Sequence, residues 1–303
     1  MRQAFRWICG SLIFAACGAE AAAAPPAPAK LSAVEIVTKN VTARGGLDAW
    51  RAVKTMSLSG KMAAGGNQRA TLQVPTQAQA TVVTRKTGEP QLPSRRVDEI
   101  YLPFVMELAR PDKMRFELQV GGKTALQVYD GVSGWKLRPY LNRLEVEPYT
   151  ADEMKSASMN SGLDGPLIDY AAKGTRIESE GIEKVENRDT YKLKLTLKSG
   201  AVTHVWVDAQ TFLETKVEGQ PRRLDGTDHP VEVYYRDYRN VNGLQVPFVL
   251  ETRVLPVART AMGRDTPVPP EKTLIEKVEI NPKFDAGLFS KPAIPTGSTA
   301  GKG

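Results

Sequence analysis

Few residues in this chain are able to do chemistry. Ser133 and Lys136 form an S-x-x-K pair, which acts as nucleophile and base only when both side chains sit one helical turn apart. Here Gly134 follows the serine and "GWKLR" alternates like a strand, so the side chains diverge and no catalytic serine is expected. The enclosing stretch "YDGVSGWKLRPY", Tyr129 to Tyr140, lacks the G-x-x-x-x-G-K spacing of a phosphate loop. It reads as a hairpin turn with Trp135 and Leu137 on one face of the outgoing strand. His204 is expected to be hydrogen-bonded on the apolar face of its strand, and His229, after "DGTD", to lie in a solvated loop. Without an H-x-x-x-H or a thiolate pair, no metal site is expected. Asp164 and Asp169 flank an expected helix start, which suits a cap and not an acid–base pair. The basic residues do not cluster with aromatics, so no nucleic-acid partner is expected. No cofactor and no enzymatic activity follow from this set.

The elements that must position these residues begin after a leader. Arg2 and Arg6, an apolar run from Trp7 and the small-residue string "GAEAAAAPP" follow the order of a secretory signal, assigned to residues 1–23. Two exits from it are open: cleavage near "AEAAA", or a lipobox-like "IFAAC" in which Cys17 is lipidated. The only cysteines, Cys9 and Cys17, lie in this leader, so simple cleavage leaves neither disulfides nor thiol chemistry. The formal net charge is +7. Ordinary solubility and attraction to an anionic membrane face both fit it. The expected location is the periplasm of a Gram-negative-type envelope, with a tether to the outer membrane if Cys17 is acylated.

A Pro/Ala spacer (24–31) leads into a domain over 32–291 with a loose Gln/Thr/Pro-rich insert at 65–96 and a tail at 292–303. Ser32 and Glu35 form a capping box for a helix with Val34, Val37 and Val41 along one face. Gly45 and Gly46 end it, and "LDAWRAV" is a further short helix. From Lys54 the hydrophobic period becomes two. Met106, Leu108, Met114, Phe116, Leu118 and Val120 share a face. "YKLKLTLKSGAVTHVWV" reads as a hairpin with a two-residue Ser199-Gly200 turn, pairing Leu197 with Val202, Leu195 with His204 and Leu193 with Trp206. Thr150 and Glu153 form a second capping box, and "GLDGPLIDYAAKG" places Pro166 at a helix start and Gly174 at its end, with Asp169 and Lys173 as a surface pair. The fold class is therefore α+β: one antiparallel sheet of about ten or eleven strands, curved, with helices in its concavity. The apolar wall is expected to comprise Phe104, Met106, Leu108, Met114, Phe116, Leu118, Trp135, Leu137, Leu193, Leu195 and Trp206. Such a wall suits an acyl chain.

"LARPDKMRFEL", "VYDGVSGWKLRPY", "GLDGPLIDYAAKG", "YKLKLTLKSG" with "WVDAQTFLETKVEG", "YRDYRNVNGLQVPFVLE" and "VEINPKFDAGLFSKP" occur in order. Together they resemble the periplasmic lipoprotein-carrier superfamily (LolA/LolB-like) and its outer-membrane lipoprotein-sorting proteins, over most of 32–292. The resemblance implies an unclosed β-barrel whose helices form a lid over a hydrophobic cavity. It also implies a monomeric, non-enzymatic carrier of lipid or lipoprotein acyl chains, served by membrane-protein donors or acceptors. Arg110, in "ARPDKM", falls where the family places an arginine that latches the lid. An alternative on the same fold is an envelope lipid sensor or adaptor that binds a membrane regulator.

Overall fold

A computed structural model describes residues 29–64, 100–224, 226–257 and 269–293. The leader, Cys17, the insert at 65–96 and nearly all of the tail lie outside the described residues. The described chain has three α-helices and thirteen strands in one antiparallel sheet. Helices α1 (Ala33–Ala43) and α2 (Leu47–Ala52) precede β1 (Thr55–Ala64). A five-strand meander follows: β2 (Ile100–Ala109), β3 (Lys113–Val120), β4 (Lys123–Tyr129), β5 (Gly134–Arg138) and β6 (Arg143–Pro148). Helix α3 (Ala151–Asn160) then leads to β7 (Arg176–Val185), β8 (Arg188–Thr196), β9 (Val202–Asp208), β10 (Glu214–Leu224), β11 (Thr227–Val241), β12 (Leu244–Val254) and β13 (Glu271–Ile280).

The spatial order is β6-β5-β4-β3-β2-β1-β13-β12-β11-β10-β9-β8-β7. Two meanders thus meet at a seam where β1 pairs with β13. The outer strands β6 and β7 do not pair, so the barrel is unclosed, as expected, with thirteen strands in place of ten or eleven. Since β6 and β7 are consecutive in sequence yet sit at opposite edges, the chain between them must cross the mouth. That crossing carries α3 and the segment 161–175.

Local chemistry explains the helix ends. The Ser32 hydroxyl accepts from the Glu35 amide at 3.3 Å, and the Glu35 carboxylate accepts from the Ser32 amide at 2.8 Å. Thr150 and Glu153 repeat the same reciprocal cap on α3. The buried stripe of α1 is Ile36, Val37, Asn40 and Arg44, while Val34 is exposed. Polar Asn40 and Arg44 take core positions because each has a buried partner, which apolar spacing cannot reveal. The expected helix over 166–174 is a run of turns. Asp169, at φ +55°, takes a left-handed conformation that interrupts helical geometry.

Antiparallel register assigns the faces. Met106 faces Leu58 on one side and Phe116 on the other, and Leu108 faces Met56 and Met114, so these side chains share the inner face. Leu193 faces Val205, and Val205 faces Val217, continuing that face to the other arm. Two apolar clusters line it. One is built on Trp50, Phe104, Leu118, Phe248 and Ile168, the other on Ile36, Val37, Leu167, Leu193 and Val205; Val41 of α1 touches both.

The β8–β9 register departs from expectation by one residue: Leu193 pairs with Val205, Lys194 with His204 and Leu195 with Thr203. The turn is a three-residue loop, Lys198 to Gly200, closed by the Leu197 amide on the Ala201 carbonyl at 2.8 Å, with Gly200 at φ +84°. A one-residue slip sends every side chain to the opposite face. His204 and Trp206 therefore lie on the outer face, with Lys192, Lys216 and Tyr234.

Candidate functional site

The site is the inner face of β1 to β5 together with the segments that cover it. Leu102, Phe104, Leu108 and Leu118 are buried there. Met62, Met106, Met114, Phe116, Ala125 and Tyr140, packed against them, are only partly buried. Buried and half-buried apolar side chains thus lie side by side on this face, and the methionine thioethers among them are adaptable in shape. Across the sheet, Leu193 and Leu195 are fully buried beneath Ile36, Val37 and Leu167 and form packed core.

Of the eleven residues expected on one wall, Phe104, Met106, Leu108, Met114, Phe116, Leu118, Leu193 and Leu195 share the inner face. The other three do not. Trp206 sits outside with Val185 and Tyr234, its ring under the Lys216 ammonium at 3.8 Å. Trp135 pairs with Val128, and Leu137 with Leu126, on the face of Arg115 and Glu117. The "YDGVSGW" stretch is the expected hairpin turn, in which the Asp130 carboxylate accepts from the amides of Val132 and Ser133 at 2.8 and 2.7 Å. Its register, Tyr129 opposite Gly134, turns Lys136 inward and Trp135 outward. Lys136 then meets Glu153 of α3 at 2.6 Å, well away from any partnership with Ser133.

A polar frame clamps the covering segments. Arg44, at the end of α1, donates from Nη1 to Glu214 Oε1 and to the Asp164 carbonyl, both at 3.0 Å, while its guanidinium stacks on Trp50 at 4.4 Å. Burial, the largest single influence, would lower the Arg44 pKa, but the Glu214 carboxylate together with Tyr238 and Tyr235 holds the guanidinium above its ordinary value. Tyr238 donates to the Glu214 carbonyl at 3.0 Å and also reaches the carboxylate. Burial and then that carboxylate push its phenol well above the ordinary range, so it remains a donor.

Arg110 follows β2 and donates to the carbonyls of Val53 and Trp50 at 2.8 and 3.1 Å and to the Asp164 carboxylate at 2.6 Å. Asp164, 2% exposed, also accepts from Lys173. Asp169 pairs with Arg51 of α2 at 2.8 Å, so the expected Asp169–Lys173 pair is replaced by two longer-range ones. These ties hold the 161–175 segment against α1, α2 and the β2–β3 turn, and its Leu163 and Ile168 pack into the apolar cluster of Trp50, Phe104 and Leu118. The sequence singles out Arg110 but gives no sign of the Arg44–Glu214 pair, whose members lie 170 residues apart.

Both histidines are accounted for by structural partners. His204 Nδ1 lies 2.8 Å from Glu218 on the outer face. His229 is buried in β11, not in a loop, with Nδ1 at 3.0 Å from the Leu255 carbonyl. Among the described residues there is no cluster of metal-ligating side chains and no helix long and apolar enough to cross a membrane.

No protein-family model and no curated protein matches the chain. Among solved structures it is similar to a LolA superfamily protein from Nitrosomonas europaea, with a TM-score of 0.48 and 11% identity over 86% of this chain and 99% of that one. A domain from Vibrio parahaemolyticus described as an outer membrane lipoprotein-sorting protein gives 0.47 and 12%, covering 86% and 96%. A DUF1329 family protein from Desulfovibrio piger gives 0.46 and 11%, covering 85% and 96%.

Proposed function

We propose that the inner face of β1 to β5 forms an apolar trough, and that the protein is an exported, non-enzymatic carrier that holds acyl chains of a lipid or lipoprotein there for transport or sorting to the outer membrane. The observation that carries this reading is the half-open apolar stretch formed by Met62, Met106, Met114 and Phe116 on an otherwise buried face. A guest gains about 0.8 kcal/mol per buried CH₂, so chain length and not head-group detail sets the bulk of affinity. Arg110 is the latch in this reading: it joins the β2–β3 turn to α2 and to the mouth-crossing segment, so movement of that segment must break its bond to Asp164. The leader supports export to the periplasm.

The test is lipid extraction and mass spectrometry on protein purified from its native envelope without detergent. A stoichiometric acyl lipid is expected, and Phe116→Asp should lose it while keeping its circular dichroism spectrum. An empty, folded wild-type protein would refute the carrier reading and favour a role in binding a regulator protein.

A further inference from the structure

The trough ends on charge. Phe116 on β3 pairs with Gln127 on β4, and Gln127 pairs with Lys136 on β5, so all three point inward. Lys136 thus lies two strand spacings, about 10 Å, from the Phe116 row. It is 7% exposed, unusual for a lysine, and its ammonium is held bidentately by the Glu153 carboxylate at 2.6 Å. Above the neighbouring Gly134 lies the Tyr149 ring, so close that a Cβ on Gly134 would come 2.0 Å from it. The Tyr149 hydroxyl is buried and has no hydrogen-bond partner. A buried donor without a partner is costly and points to a missing acceptor.

We propose that Lys136 and Tyr149 form the head-group site of the trough, selecting an amphiphile whose head is a single anion, a carboxylate or a phosphate. This rests on the carrier reading and specifies its ligand. In the structure, the Glu153 carboxylate occupies the place the ligand anion would take. The exchange is electroneutral at the ammonium: one carboxylate leaves Lys136 as another anion arrives, and the Tyr149 hydroxyl gains an acceptor. Glu153 can leave because it is 39% exposed and because α3 is lightly anchored, with Ala157 its one buried hydrophobic residue. The released helix keeps its cap, since Thr150 needs only one Glu153 oxygen. Head binding and loosening of α3 at the mouth are therefore the same event.

The experiment is displacement of the neutral fluorophore N-phenyl-1-naphthylamine from delipidated full-length mature protein by dodecanoate, dodecyl phosphate, dodecanol and acetate. Both anionic amphiphiles should compete roughly tenfold better than dodecanol, the weight of one charge-assisted hydrogen bond. Acetate should not compete, which separates an amphiphile site from a bare anion site. Lys136→Met should bring dodecanoate to the level of dodecanol. Glu153→Gln, which retains the reciprocal cap, should tighten dodecanoate by roughly tenfold relative to dodecanol. A ranking of dodecanoate over dodecyl phosphate, or the reverse, identifies the source of the head. Equal affinity of the anionic and neutral chains in wild type, or an anion preference that survives Lys136→Met, overturns the head-group site and leaves the trough standing. Failure of every chain to displace the fluorophore overturns the trough and the site together.

Discussion

Replacing Glu214 by leucine tests whether the polar frame is built as argued. The Glu214 side chain is 1% exposed and the Arg44 side chain 9%, and their charged atoms are 3.0 Å apart. Removing the carboxylate leaves a guanidinium buried with only the Asp164 carbonyl and the Trp50 ring for company. Breaking one partner of such a pair costs about 3–5 kcal/mol. Tyr238 contributes little to the loss, because the Glu214 main-chain carbonyl still accepts its hydroxyl. Removing both charges, Arg44→Met with Glu214→Leu, takes away the uncompensated ion and should return stability to within about 1–2 kcal/mol of wild type, or above it. The two changes should thus be non-additive by at least about 2 kcal/mol. Urea unfolding followed by tryptophan fluorescence reads this directly, with Trp50 packed on the altered guanidinium as a local reporter. Midpoints at constant m-value give the differences. A loss below about 1 kcal/mol for Glu214→Leu, or a double variant equal to the sum of its singles, would refute the assignment of a dry, mutually dependent pair.

Arg110→Met should cost about 2–4 kcal/mol by stripping three hydrogen bonds, one to a buried carboxylate, and should speed amide exchange in residues 161–175 more than in β8 and β9. Uniform exchange across both regions would contradict the clamp. Gly60→Ala should destabilise by about 1–3 kcal/mol or more, since its Cβ would lie 2.0 Å from the Leu274 carbonyl at the seam irregularity; wild-type stability would show that the seam is looser than described. Acid titration isolates Glu186, whose carboxyl is held at about 2, chiefly by the Arg236 hydrogen bond against burial and with help from Arg253. A depressed carboxyl contributes stability above its unfolded value, and that contribution fades as pH falls from about 4.5 toward 2. The thermal midpoint gap between wild type and Glu186→Gln should therefore be present at neutral pH and narrow through that window, and a constant gap would exclude this linkage.

Features with local causes were legible in the sequence. Both capping boxes and the inner row from Met106 to Val120 need only neighbours within a few residues or strict alternation. The β8–β9 register was not, because "THVWV" carries apolar side chains on both faces and alternation cannot choose between them. The choice lay in the turn, where Gly200 sits at the third position of its loop, the left-handed one that glycine favours. Arg44 and Glu214 were hidden for another reason: their bond spans 170 residues, and a buried charge looks like a surface charge in sequence. The same holds for Asn40, which donates to Phe212 across the fold.

The seam between β1 and β13 reverses the usual meaning of a C-terminal strand. In each arm every strand pairs with its sequence neighbour, so the hairpins can form as the chain emerges. The junction of the arms, by contrast, is made by β13, the last strand of the described chain, sliding between β1 and β12. Until it arrives, β1 and β12 each keep one open edge in the middle of the sheet, the arrangement most open to foreign strands. Truncation before Glu271 would therefore cut the molecule through its centre, dividing one sheet into two aggregation-prone halves.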